Sequence, residues 1–360
     1  MPSLRLPPVF VVGAPRSGTT MLAAMLASHP DLAAGPETQF FSKLSHTQLD
    51  NAVQDANWPR KAVQSLSTLT LAEQSVLGLF ETSPQQITEF LEARNPSLEA
   101  MLEALTVPYA EARSACGWVE KTPNQILHLE TLRALWPQAV IVRIIRDPRD
   151  VGLSMRRLPS FSDDVLPNVY LWQRWNAQAE SFLAADAKSV SLRYEDLVDE
   201  PEKHLRQLCE LAGLAFDPAM LEFSQAAADV SSANETWKAQ VAFGLSQTRK
   251  FAWKGELPDQ WREVCDLVCH ELLIAHGYEA GRAPNQTRTA FRMSQRYIEK
   301  QQNALQNLAK TGVRWMPSND PLTADRVVDH PEHYRFTHPI KLARLTYGGA
   351  QSWKERMLAR

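Results

Sequence analysis

Val9-Phe-Val-Val-Gly13-Ala-Pro-Arg-Ser-Gly18-Thr19-Thr20 opens as a β-branched and aromatic run, breaks at a glycine, and passes into residues that recur at helical spacing. Met21, Leu22, Met25 and Leu26 mark that helix, which stops at His29-Pro30. The unit is therefore strand, glycine-containing turn, helix. Between Gly13 and Thr20 the spacing is that of a phosphate loop, in which glycines let the backbone curl so that successive N–H groups and a helix N-terminus face one anion. Thr19 stands where a nucleoside triphosphatase carries the lysine that spans two phosphates, and Arg16 returns a positive charge at a different place. A turn that only joined strand to helix would need neither.

The same grammar recurs downstream. Ala139 to Ile145 reads as a strand followed by a helix over Arg149 to Arg157; Val190 to Tyr194 reads as a strand followed by a helix from Pro201 to Leu211 and a stop at Gly213. Repeated β then α predicts a three-layer αβα fold of P-loop NTPase type, with a central parallel sheet. Ser45 to Ala115 is helical and polar without a convincing strand, so a helical insertion is expected there. Trp261 to His276 predicts an amphipathic helix ending before Gly277. Beyond Gly281, arginine and glutamine become common, a helix is expected over 289–308, and the tail holds Pro317, Pro321, Pro331 and Pro339. The expected organisation is one domain over 1–280 and a helical and irregular extension over 281–360.

With 360 residues, of which 44% are hydrophobic and 22% charged, the composition is that of a globular chain with a large core. The formal charge of −3 supplies no field to gather nucleic acid or an anionic membrane, so any anion site must be local. Cys116, Cys209, Cys265 and Cys269 are too few and too irregularly spaced for a disulfide framework, and a reducing, cytoplasmic setting is expected. The apolar start is too short to span a bilayer. Cys265, Cys269 and His270 share one helix, but no second ligand pair follows, so core packing rather than metal binding is expected of them.

A second element, Val140-Ile-Val-Arg-Ile-Ile-Arg146-Asp147-Pro-Arg-Asp150-Val-Gly-Leu-Ser154, delivers Arg146 to the carboxyl edge of the sheet, where open α/β sheets bind ligands. Ser154 falls about two turns into the next helix. An arginine and a hydroxyl so placed can grip a second phosphate through charge-assisted hydrogen bonds, each worth ~1.5–3 kcal/mol. The competing readings are a structural Arg146–Asp150 ion pair and a magnesium-binding Asp147; Arg143 and Arg146 put positive charge beside that aspartate.

Pro15-Arg-Ser-Gly-Thr-Thr20 after the first strand and Arg146-Asp-Pro-Arg-Asp-Val-Gly-Leu-Ser154 after a later one resemble the sulfotransferases that use 3′-phosphoadenosine 5′-phosphosulfate (PAPS), especially the tyrosylprotein and Golgi-type branch. The resemblance covers roughly residues 8–280. It implies that Arg16, Ser17, Gly18, Thr19 and Thr20 hold the 5′ end of the donor, that Arg146 and Ser154 hold the 3′-phosphate, and that Tyr194 lies near the adenine. Phe243 to Lys254 is similar to the family's late loop that closes on the nucleotide, which makes Lys250 and Lys254 further candidates. The product would be adenosine 3′,5′-bisphosphate, and no metal is expected. The family includes dimers.

Sulfuryl transfer to a hydroxyl calls for a base near the acceptor, and a carboxylate opposite the phosphate loop is well placed to be one. Glu37, in Gly35-Pro36-Glu37-Thr38-Gln39, falls on the glutamate that carries the base in the tyrosylprotein branch. Pro36 and Gln39 stand where that branch has Glu and Arg, and Leu158 where it has a further Arg. In Glu120-Lys121-Thr122-Pro123, Thr122 reads as an N-cap and Pro123 as the first helical residue. The resemblance gives Lys121 the leaving oxygen, so Lys121 and Arg16 are the candidates for stabilising charge there.

The expected activity is sulfuryl transfer from PAPS to a hydroxyl of carbohydrate, lipid alcohol, phenol or peptide tyrosine. A small-molecule or nucleotide kinase with an altered loop, which would need magnesium, is one alternative. A nucleotide-binding module without turnover is the other.

Overall fold

A computed structural model gives the structure of the chain and describes residues 5–158, 161, 165–235, 238 and 244–281. The expected helix over 289–308, nearly all of the proposed extension, and Phe243 lie outside the described residues. The chain divides into two compact units: residues up to Gly13 with Gly18–Ile145 and Phe182–Gln247, and Ala14–Ser17 with Arg146–Ser181 and Thr248 onward.

The first unit holds the sheet. Seven strands occur in chain order among the described residues: β1 (Val9–Val12), β2 (Leu32–Ala34), β3 (Thr70–Leu71), β4 (Gln74–Ser75), β5 (Gly117–Glu120), β6 (Val140–Ile145) and β7 (Ser189–Arg193). Five of them form a parallel sheet in the order β2-β5-β1-β6-β7. After β1 the chain builds β2 and β5 on one side, then crosses to β6 on the other, so the loop leaving β1 sits at the topological switch point where α/β sheets bind ligands.

Burial on both faces explains the near-continuous apolar runs of β1 and β6. On one face Val9, Val11, Val142 and Ile144 pack with Leu22 and Met25 of helix Thr19–Ala27 and with Leu205 and Leu208 of helix Pro201–Ala212. On the other, Phe10 meets the rings of Trp118 and Trp136. The indole N–H of Trp136 donates to Glu103 of helix Leu98–Ala112 at 3.0 Å.

Three sequence readings change. Gly117–Glu120, an unrecognised strand, lies between β1 and β2: its four residues are flanked by a helix and a turn, too short a run to display a period. The helical insertion contains the β3–β4 hairpin, whose tip residues Ala72 and Glu73 both have positive φ. Tyr194 begins a helix, Tyr194–Asp199, rather than ending a strand.

In the second unit, helix Pro148–Met155 is capped by Asp147, whose side chain accepts the Arg149 N–H at 3.0 Å. The fully buried Arg149 also reaches Asp266 of helix Asp259–Ala275 at 2.8 Å and lies over the Trp253 ring. Cys265 and Cys269 are buried in that helix, as core residues.

Candidate active site

Glu37 lies three residues beyond β2, in a loop. Gly35 positions that loop: a Cβ there would stand 2.6 Å from the Phe80 ring, so only glycine lets the insertion press so close. Both oxygens of the buried Glu37 carboxylate are occupied. Oε1 accepts from Lys121 Nζ at 2.9 Å and from Lys238 Nζ at 2.7 Å, and Oε2 accepts from Gln39 Nε2 at 2.7 Å. Gln39, the residue that replaces the branch's arginine, thus orients the carboxylate from a left-handed backbone position with φ of 56°.

Burial alone would raise the Glu37 carboxyl, but the Lys121 and Lys238 ammonium groups outweigh it and bring it down to about 2. Burial lowers Lys121 to about 8 against the pull of Glu37. Lys238 moves the other way: burial is overcome by two carboxylates, Glu37 and Glu235, the latter at 2.7 Å.

Glu120 is also buried, and burial raises its carboxyl despite hydrogen bonds from Thr122 and Thr38. Thr122 stands at the N-cap and Pro123 at the helix start, as expected, but the helix is a 3₁₀ turn over Pro123–His128, and the Thr122 hydroxyl makes no capping bond because it donates to Glu120 at 2.6 Å. Pro123 accepts the Gly13 N–H at 3.3 Å, tying the start of the phosphate loop to the segment that carries Lys121. Gly18 enters helix Thr19–Ala27 with φ of 104°, and a Cβ there would stand 2.6 Å from the Tyr194 ring. Tyr194 therefore packs on the loop itself.

The second unit gathers the other candidates. Arg16 Nε donates to Ser154 Oγ at 3.1 Å, and Arg146 Nη1 donates to the Arg16 carbonyl at 3.3 Å. Arg146 Nη2 donates to the Arg249 carbonyl at 2.5 Å, which brings in the late loop. The Arg146–Asp150 ion pair is present too, at 3.7 Å, while Asp150 accepts the N–H groups of Phe251 and Trp253 at 2.8 and 2.9 Å. Asp147 is committed to Arg149 and to the Trp253 indole, a structural role in place of the magnesium reading. Ser17 Oγ is buried and has no partner among the described residues; a buried hydroxyl in a phosphate loop fits a donor oxygen. Lys254 pairs instead with Glu279 at 2.9 Å, both about half exposed, and Lys250 follows directly on Arg249.

Lys238 escaped the sequence reading because nothing around Glu235-Thr-Trp-Lys238 forms a motif. Only the fold brings it to Glu37, 201 residues away.

A parallel α/β sheet with a phosphate loop at its switch point, and a carboxylate held by two lysines beyond strand β2, defines a P-loop-type group-transfer protein. The sequence profile of the sulfotransferase family matches residues 7–218, more than half of the chain, and the chain belongs to that family. It transfers a sulfuryl group from PAPS to an acceptor hydroxyl. Among its relatives, protein-tyrosine sulfotransferase A of Caenorhabditis elegans is 24% identical over 90% of this chain and 80% of its own length. Protein-tyrosine sulfotransferase 1 of Danio rerio is 27% identical over 76% and 73%. The sulfotransferase domain from the curacin biosynthetic pathway has the same fold, with a TM-score of 0.53 and 22% identity over 77% of this chain and all of that one.

Proposed function

We propose that the acceptor is a phenolic hydroxyl and that Glu37 takes its proton. The observation that carries this reading is the state of Glu37: a buried, ionised carboxylate held by two ammonium groups is a weak base. A weak base suffices for an acidic hydroxyl such as a phenol and serves an alkyl alcohol poorly. Two relatives named protein-tyrosine sulfotransferases agree with it.

The phenol oxygen forms a bond to sulfur as the bond from sulfur to the 5′-phosphate oxygen breaks, and the electron pair stays on that oxygen. Lys121 and Arg16 balance the charge there, and Glu37 holds the phenolic proton. Arg16 to Thr20 take the 5′ end, and Arg146 with Ser154 takes the 3′-phosphate. Positioning and electrostatics then do most of the work, as in phosphoryl transfer, and no divalent ion is needed. Four cysteines, too few and too irregularly spaced for a disulfide framework, support a reducing, cytoplasmic setting.

Glu37→Gln keeps the size and one acceptor oxygen of the side chain, gives up acceptance at the other position, and removes proton affinity. Turnover is expected to fall by ~10²–10⁴, nearer the lower figure with a phenol than with a sugar or alkyl alcohol, while affinity for adenosine 3′,5′-bisphosphate is unchanged. Steady-state rates on p-nitrophenol and an alkyl alcohol, with calorimetric binding of the bisphosphate, check both. Parent-like turnover in the variant would remove Glu37 as the base, and a parent enzyme that used only the alkyl alcohol would remove the phenol.

A further inference from the structure

We propose that Lys238 is a positioning residue that keeps Glu37 ionised and oriented when Lys121 leaves it for the donor. The inference rests on the reading of Glu37 as base and Lys121 as the leaving-oxygen cation.

The geometry sets the problem. Lys121 Nζ lies 2.9 Å from Glu37 Oε1, in a cluster where Lys121 is fully buried and Glu37 nearly so. If Lys121 turns to the leaving oxygen, it gives up that contact, and a buried carboxylate without a cation would take up a proton and cease to be a base. Lys238 prevents this, because its own ammonium lies 2.7 Å from the same Glu37 oxygen.

Lys238 is also anchored against following Lys121. Its Nζ is 2.7 Å from Glu235 Oε1, and the other Glu235 oxygen accepts the Ser232 N–H at 3.0 Å. The Ser232 hydroxyl bonds to Gln74, and Asn234 Nδ2 donates to the Ala72 carbonyl at 2.9 Å. Those two partners belong to the β3–β4 hairpin, whose tip at Ala72 and Glu73 has the doubly left-handed form of a tight two-residue turn. A chain of contacts therefore runs from the hairpin of the helical insertion through Ser232, Glu235 and Lys238 to Glu37. This gives the insertion a task in the chemistry: it supplies the mount for the second lysine.

The charged groups around Glu37 come from each packed segment: Lys121 and the buried Glu120 from the end of β5, and Lys238 and Glu235 from the later loop. Gln39 adds a neutral donor on the other oxygen. Of the two lysines, Lys238 faces two carboxylates and keeps its proton more firmly, whereas burial leaves Lys121 the more readily deprotonated.

The test is a carboxyl ¹³C NMR titration of the full chain labelled at glutamate Cδ, with the Glu37 signal assigned by its loss in Glu37→Gln. It needs neither donor nor acceptor, so its outcome is separate from that of the turnover experiment. In Lys121→Met, Glu37 is expected to remain ionised at pH 6. In Lys121→Met/Lys238→Met its titration should move up by ~2 units or more, and Lys121→Met/Lys238→Arg should restore it. Protonation of Glu37 near neutrality in Lys121→Met, with Lys238 intact, would overturn the proposal. Should the double variant not fold, Lys238→Gln against Lys238→Arg decides through the pH profile of kcat/KM on p-nitrophenol. The acid limb should rise in the first and return in the second; an equal loss at every pH would overturn the proposal.

Discussion

Glu37 shows how a single residue can be named from sequence while its state cannot. Gly35-Pro36-Glu37-Thr38 points to a carboxylate near the acceptor, but the three donors on its two oxygens come from Gln39, Lys121 and Lys238, and only the first is local. That environment has a consequence for stability. The carboxyl stays ionised down to about pH 2 in the folded chain, whereas an ordinary one protonates near 4.5, so the unfolded chain binds the proton first. The stability contributed by this group is complete above pH 4.5 and is lost as the pH falls towards 2. Urea unfolding midpoints of parent and Glu37→Gln, followed across that window, are expected to converge as the pH falls. Parallel curves would mean that Glu37 is no better paired in the folded chain than in the unfolded one.

At the scale of elements, the phosphate loop was legible because its chemistry is local: two glycines, an arginine and a following helix within eight residues. Its tertiary seat was not. Gly18 is needed both for a φ of 104° and because the Tyr194 ring occupies the place of a Cβ, and the second reason depends on a residue far along the chain. Gly18→Ala is therefore expected to cost about 1–3 kcal/mol in urea unfolding and to weaken binding of adenosine 3′,5′-bisphosphate by at least tenfold in calorimetry. Strand β5 and the β3–β4 hairpin were missed for the opposite reason. Segments of two to four residues carry no period, and their pairing partners alone define them.

For the whole molecule, a net charge of −3 means that anion binding comes from local groups rather than a general field. Adenosine 3′,5′-bisphosphate at a hundredfold over its dissociation constant is expected to stabilise the fold by ~2.7 kcal/mol. AMP, lacking the 3′-phosphate, should do markedly less at the same concentration, and Arg146→Ala should erase most of the difference in a thermal-shift series. Because lysines and arginines supply the positive charge, EDTA is expected to leave the rate of a metal-free preparation nearly unchanged; a loss restored by magnesium would show that a divalent ion takes part in the transfer. The sequence by itself determined the β then α order, the parallel sheet, the phosphate loop and the candidacy of Glu37, Lys121 and Arg146, since each rests on a period or a motif carried by neighbouring residues. The tertiary structure alone decided that β5 lies beside β1, that Thr38 reaches Glu120 across 82 residues, that Arg16 meets Ser154 across 138 residues and that Lys238 reaches Glu37. These are encounters between side chains distant along the chain, held by burial and charge pairing, and no local pattern records them.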